Sequence, residues 1–142
     1  MKMSNFFETL LEIMEEKNVS INDLENDNIL APNAFYNFKK YTPSLLNILK
    51  IANYLEISLD YLLGNTNVNN FRKYKQTQNI YPKLVELMKI NKISQVKICN
   101  EVGITRSNFS KWKYGSVPKF STLIQLAEVI GENIDKFLDF EE

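Results

Sequence analysis

Three side chains in one short stretch have the chemistry to read a nucleic acid. In SQVKICNEVGITRSNFSKWKYG, residues 94–115, Arg106 can donate two hydrogen bonds to a guanine. Lys111 can reach a guanine or a phosphate, and Ser107 can pair with several bases. Phe109 and Trp112 have the spacing of core positions on one helical face. Arg106 and Lys111 lie on the opposite face. Ordinary solvated surface is the competing reading of these side chains, and their placement opposite the core pair favours contact.

The charge around them points the same way. The whole chain of 142 residues carries 17 basic and 17 acidic side chains, a formal net charge of zero. Residues 1–70 hold five lysines against nine acids, a net of −4, which leaves +4 for the remainder. Residues 72–120 hold eleven basic side chains and only Glu86 and Glu101 as acids, a net of +9. A block of that kind attracts a phosphate backbone. Other chemistry is poorly supplied. There is no histidine, the commonest general base and metal ligand, and a single cysteine, Cys99, too few for a disulfide or a cysteine-based zinc site. There is no glycine-rich phosphate loop and no nucleophile with a neighbouring base, so neither an enzyme nor a cofactor is expected. Cys99 itself reads as a buried structural thiol rather than a redox sensor. No apolar run approaches the length of a membrane span, and the Met1-Lys2-Met3 start is not followed by a signal-peptide core, so the expected compartment is the cytoplasm.

The elements that must position these residues follow from caps and periodicity. Tyr81, Leu84, Val85 and Met88 share one helical face, predicting a helix over residues 79–91. Ser94 caps a second helix with Ile98, Cys99 and Val102, and Gly103 ends it in the left-handed conformation of a tight turn. Thr105 caps a third helix holding Phe109 and Trp112. Gly115 ends that helix, Pro118 opens a fourth with Phe120, Leu123, Leu126, Ala127 and Ile130, and a last turn holds Ile134, Phe137 and Leu138. Helix, glycine turn, apolar residue, hydroxyl cap and second helix are the requirements of a helix-turn-helix.

The pattern occurs twice. At an offset of 74 residues Phe7, Leu10, Leu11, Met14 and Leu24 fall on Tyr81, Leu84, Val85, Met88 and Ile98, and Phe35 and Phe38 fall on Phe109 and Trp112. At an offset of 75, Pro43, Leu45, Ile48, Ala52, Leu55, Leu59, Leu62 and Leu63 meet Pro118, Phe120, Leu123, Ala127, Ile130, Ile134, Phe137 and Leu138. Two copies of one all-α fold are expected: a first domain at residues 1–64, a polar and basic linker at 65–78 behaving as a flexible tether, and a second domain at 79–142.

On these residues the chain resembles the Cro/C1-repressor (XRE-like) helix-turn-helix family of bacteria and their phages. PKFSTLIQLAEVIGENIDKFL and its counterpart PSLLNILKIANYLEISLDYLL are similar to that family's fourth and fifth helices. The resemblance implies two tandem five-helix, lambda-repressor-like domains. It implies a third helix in the major groove of double-stranded DNA, with Arg106, Ser107, Ser110 and Lys111 facing bases and Asn108 near the backbone. Gln95 matches the family's phosphate-contacting glutamine. Lys113, one residue past Trp112, reaches at most a phosphate.

The first copy departs from the family. Ile21 stands where the glutamine should, Glu25 stands where the helices should cross, and the turn Asn28-Ile29-Leu30 lacks a glycine. Its second helix carries Asp23, Glu25 and Asp27, and its third, running from Pro32 to Lys40, offers Asn33, Asn37 and Lys40 as a possible second DNA site. Leu46 and Leu49 form an apolar strip beside the core strip of Leu45, Ile48 and Ile51. It reads either as a contact to another chain or to the other domain, or as internal packing. The expectation is a transcriptional regulator, a phage or mobile-element repressor acting as a homodimer through the first domain. The alternative is a phage-encoded inhibitor or antitoxin that uses the fold on a protein partner.

Overall fold

Apolar residues spaced along short helices build the fold of the described residues. The computed structural model describes residues 6–142. The Met1-Lys2-Met3 start, and with it the beginning of the expected first domain, lies outside the described residues. Helix α1, Phe6–Glu16, buries Phe6, Leu10, Ile13 and Met14, one helical stripe. Helix α2, Ile21–Asn26, begins at Ser20, whose hydroxyl accepts from the Asp23 backbone N–H while the Asp23 carboxylate accepts from Ser20 N–H. This reciprocal cap satisfies two otherwise orphaned donors. A 3₁₀ turn follows at Phe35–Lys39. Helices α3, Leu45–Leu55, and α4, Leu59–Leu62, start on the serine caps Ser44 and Ser58.

The second half repeats the order: α5, Tyr81–Ile90; α6, Gln95–Val102; α7, Arg106–Lys113; α8, Phe120–Ile130; and a 3₁₀ turn, Ile134–Phe137. Left-handed backbone recurs in the same register. Asn18 and Lys92 (φ 57° and 54°), Asn28 and Gly103 (58° and 77°), and Glu56 and Gly131 (54° and 83°) lie 74 or 75 residues apart. The turn of the first half without a glycine is therefore made by asparagine, the side chain that tolerates this conformation best after glycine.

Three expectations need correction. The third element of the first half is not a helix from Pro32. It is a five-residue 3₁₀ turn from Phe35, because Asn33 is left-handed (φ 67°) and Ala34 offers no side-chain cap. Pro118 does not open α8; it is buried two residues ahead of a helix that starts at Phe120. The segment at 65–78 is not a free tether. Tyr74 within it is fully buried and Gln78 nearly so, and residues 73–75 pair with the C-terminal tail through Lys75 N–H to Asp139 O (3.0 Å) and Glu141 N–H to Lys73 O (2.8 Å). Arg72 lies over the Phe140 ring at 4.2 Å, and Tyr74 packs on the same ring at 5.0 Å.

The buried residues of both halves form one continuous cluster. Phe6 meets Phe120 edge-on at 5.7 Å, and α4 packs against the 134–137 turn. Polar contacts join the two directly and through Tyr74. The Asp60 carboxylate accepts from the backbone N–H groups of Ile134 (2.9 Å) and Asp135 (3.0 Å), the start of the 3₁₀ turn. Asp135, which stands 75 residues after Asp60, is linked to the start of α4 through Tyr74. The Tyr74 hydroxyl accepts from Leu59 N–H (2.8 Å) and donates to Asp135 (2.6 Å). The first half thus answers orphan donors of the 134–137 turn directly, and Tyr74 of the connecting segment answers one at α4 while holding Asp135. Burial pushes the Asp135 carboxyl up to about 6, with the Asp60 charge adding to it against the Tyr74 hydrogen bond. Burial and the facing Asp135 also raise the Tyr74 hydroxyl, so it stays protonated.

Candidate nucleic-acid interface

The α6–turn–α7 unit is set by local backbone chemistry. The Ser94 hydroxyl accepts from Lys97 N–H at 3.1 Å and starts α6. Gly103 ends it at φ 77°, ψ 33°, a conformation that costs a residue with a Cβ about 1–2 kcal/mol. No atom lies within 4 Å of where a Cβ would sit, so the need for glycine here is conformational, not steric. At the start of α7 the Asn108 side chain accepts from Thr105 N–H at 2.9 Å. The resemblance implied a place near the DNA backbone for Asn108; in the structure its carbonyl oxygen is engaged by the chain's own backbone. The Thr-x-x-Asn spacing, a variant of the capping box, is the signal that could have shown this.

Phe109 and Trp112 are buried and pack ring to ring at 5.2 Å, so Trp112 is core as expected. Their burial turns the other face of α7 outward, where Arg106, Ser107, Ser110, Lys111 and Lys113 are all exposed. The Ser107 hydroxyl shares a 2.7 Å hydrogen bond with the Thr105 hydroxyl, which holds it at the mouth of the turn. Gln95 is half-buried at the first position of α6. Cys99 is a half-buried free thiol rather than a fully buried one. Helix α6 packs on α8 and α5 on α7, so the outward face rests on a packed support.

Residues 83–142 match the family model described as Cro/C1-type HTH DNA-binding domain. The second half of the chain carries a Cro/C1-type helix-turn-helix domain. A domain of this type indicates a DNA-binding regulator. No curated protein and no solved structure matches the chain. Among the described residues no helix is long and apolar enough to cross a membrane.

Other sequence-predicted residues are placed less uniformly. Asn33, Asn37 and Lys40 are exposed, but Asn33 lies in the turn ahead of the 3₁₀ element and shares no helix with Asn37. The Leu46–Leu49 strip does not exist as a surface: Leu46 is 44% exposed and Leu49 is 0% exposed. Leu49 packs into the continuous core and offers nothing to a second chain. Sequence reasoning missed two tyrosines beside the reading elements, Tyr41 at 69% and Tyr114 at 84% exposure. It also missed the groove of about 680 Å³ between residues 40–46 of one half and 117–121 of the other.

Proposed function

We propose that the chain is a sequence-specific, double-stranded-DNA-binding transcriptional regulator, a repressor of the kind carried by phages or mobile elements, that reads its operator through α7. The exposed face of α7 carries the reading. Arg106, Ser107, Ser110 and Lys111 stand outward on a helix without an acidic residue, inside a block of net charge +9. Arg106 pairs with a guanine edge, Lys111 supplies a guanine or phosphate contact and Lys113 a phosphate contact, and Gln95 meets a phosphate at the start of α6. Residues up to 64 are a second, degenerate copy of the same fold, a reading supported by the matched element order and the repeated left-handed positions. Asn33, Asn37 and Lys40 are that copy's candidate contacts with DNA. A homodimer through the Leu46–Leu49 strip loses its motive with Leu49 in the core. The test is selection of bound duplexes from random DNA by the full chain. A defined motif that Arg106→Ala relaxes at one position is expected; no enrichment, or an unchanged motif from the variant, overturns the assignment.

A further inference from the structure

The first half's charge of −4 conceals where its acids lie. Residues 28–52 contain three lysines and no acid. Residues 102–127 of the second half, the corresponding segment, contain one arginine, three lysines and no acid. In each half that window covers the turn, the third element, the following loop and most of the next helix. The acids of the first half sit on α1, on α2 and at residues 27, 56 and 60. The structure brings the two acid-free windows together. Residues 42–46 and 117–121, which correspond at the offset of 75, face each other across the groove of about 680 Å³, with exposed Lys40 and Tyr41 on one side and exposed Lys119 on the other. The core is continuous between the halves, and α4 packs on the 134–137 turn that corresponds to it, with Asp60 accepting from Ile134 and Asp135 N–H. Corresponding surfaces packed on each other are what a twofold dimer has; here both come from one chain.

We propose that a single chain is a complete DNA-binding unit. The two acid-free windows form one surface for a single duplex, the groove between them lies over the centre of the site, and the site consists of two unlike half-sites rather than a palindrome. This rests on the DNA-binding reading above. Its chemistry follows from the charges. Arg106 and Lys111 read bases on the second half's side, while Lys40 and Lys119 neutralise phosphates on either side of the centre. The short 3₁₀ element with Asn37 contributes a weaker half-site. A rigid, core-linked pair of heads fixes the half-site spacing, which a flexible tether would leave free.

The experiment uses the full chain and a duplex of about 30 base pairs obtained by selection from random DNA, with mass measurement of the complex and hydroxyl-radical footprinting. One chain per duplex is expected, protecting two segments about one helical turn, or ~10 base pairs, apart. Asn37→Ala with Lys40→Ala should remove protection of one segment only. With one fewer phosphate neutralised, the plot of log affinity against log salt should become shallower by about 0.9. Two chains per duplex, a single protected segment, or an unchanged salt slope in the variant would overturn the single-chain reading while leaving DNA reading by α7 intact. A first half serving a protein partner instead would give the single segment. Failure of the full chain to select any duplex would overturn the functional assignment and this inference together.

Discussion

Asp60→Ala should loosen the union of the two halves, and the cost can be worked from the contacts. Asp60 is 4% exposed and accepts three hydrogen bonds: from Ile134 N–H at 2.9 Å, from Asp135 N–H at 3.0 Å and from the Asn65 side-chain amide at 2.9 Å. Ile134 is 0% exposed, so its N–H is left without water as a substitute, at about 1–3 kcal/mol. Loss of the negative charge at the start of the 3₁₀ turn adds about 0.3–1 kcal/mol. Asp135 and Asn65 are within reach of solvent and lose less. Against these stands the relief of a desolvated carboxylate, which offsets part of the loss. The expected destabilisation is about 2–4 kcal/mol. Asp60→Asn, which keeps one acceptor but turns an amide toward a donor, should fall between wild type and alanine. Urea unfolding followed by circular dichroism reads this as a fall in midpoint of about 1–2 M, for a slope of about 2 kcal/mol per M. A second readout is specific to the geometry. Burial is the main cause of the raised Asp135 value and the Asp60 charge adds to it, so removing Asp60 should lower the Asp135 titration, followed by carboxyl carbon shifts, by part of that rise. A midpoint within about 0.5 M of wild type, or an Asp135 titration that does not move, would refute the cap by Asp60.

Three further outcomes follow from the same structure. Asp135 has its folded value raised to about 6, so the folded state holds a proton that the unfolded state has lost between roughly pH 4 and 6. Stability should therefore rise as pH falls from 7 to 5, by at most about 1.3 kcal/mol and by somewhat less after solvent screening. Asp135→Asn should flatten the slope, and a wild-type midpoint constant over that range would speak against the burial of Asp135. Arg106→Ala should cost about 1–3 kcal/mol in affinity and relax specificity at one position, whereas Lys113→Ala should weaken all sequences alike. Gel shifts on selected and random duplexes separate the two, and equal losses for Arg106→Ala on both would sink its base-reading role. Leu49→Ala should destabilise by about 2–5 kcal/mol and Leu46→Ser by no more than about 0.5 kcal/mol. The reverse order in thermal unfolding would restore the apolar strip as a surface.

What was legible in the residues was whatever a local rule governs. Ser94 and Thr105 precede their helices as caps, Gly103 ends α6, and Phe109 and Trp112 are core. Each of these depends on neighbours within one or two turns. What was not legible depends on residues far apart. Leu46 and Leu49 are three apart and would share a face on an isolated helix, but α3 belongs to a core continuous with the other half, which covers Leu49 and leaves Leu46 partly bare. Residues 65–78 look like a tether because they are polar on average, and averaging hides Tyr74. One buried ring with a hydroxyl bonded to both Leu59 and Asp135 anchors the segment more firmly than its polar neighbours can loosen it. Pro32 and Asn33 were a local sign that the third element of the first half starts late, overridden by analogy with α7. The charge of the first half shows the same limit. A sum of −4 argues against a polyanion only if its charges share one surface, and residues 28–55 contribute none of the acids. Attraction of a duplex depends on the potential where it docks, within about 8–10 Å of the surface at physiological salt, so acids on α1 and α2 weaken it only as far as they approach that face.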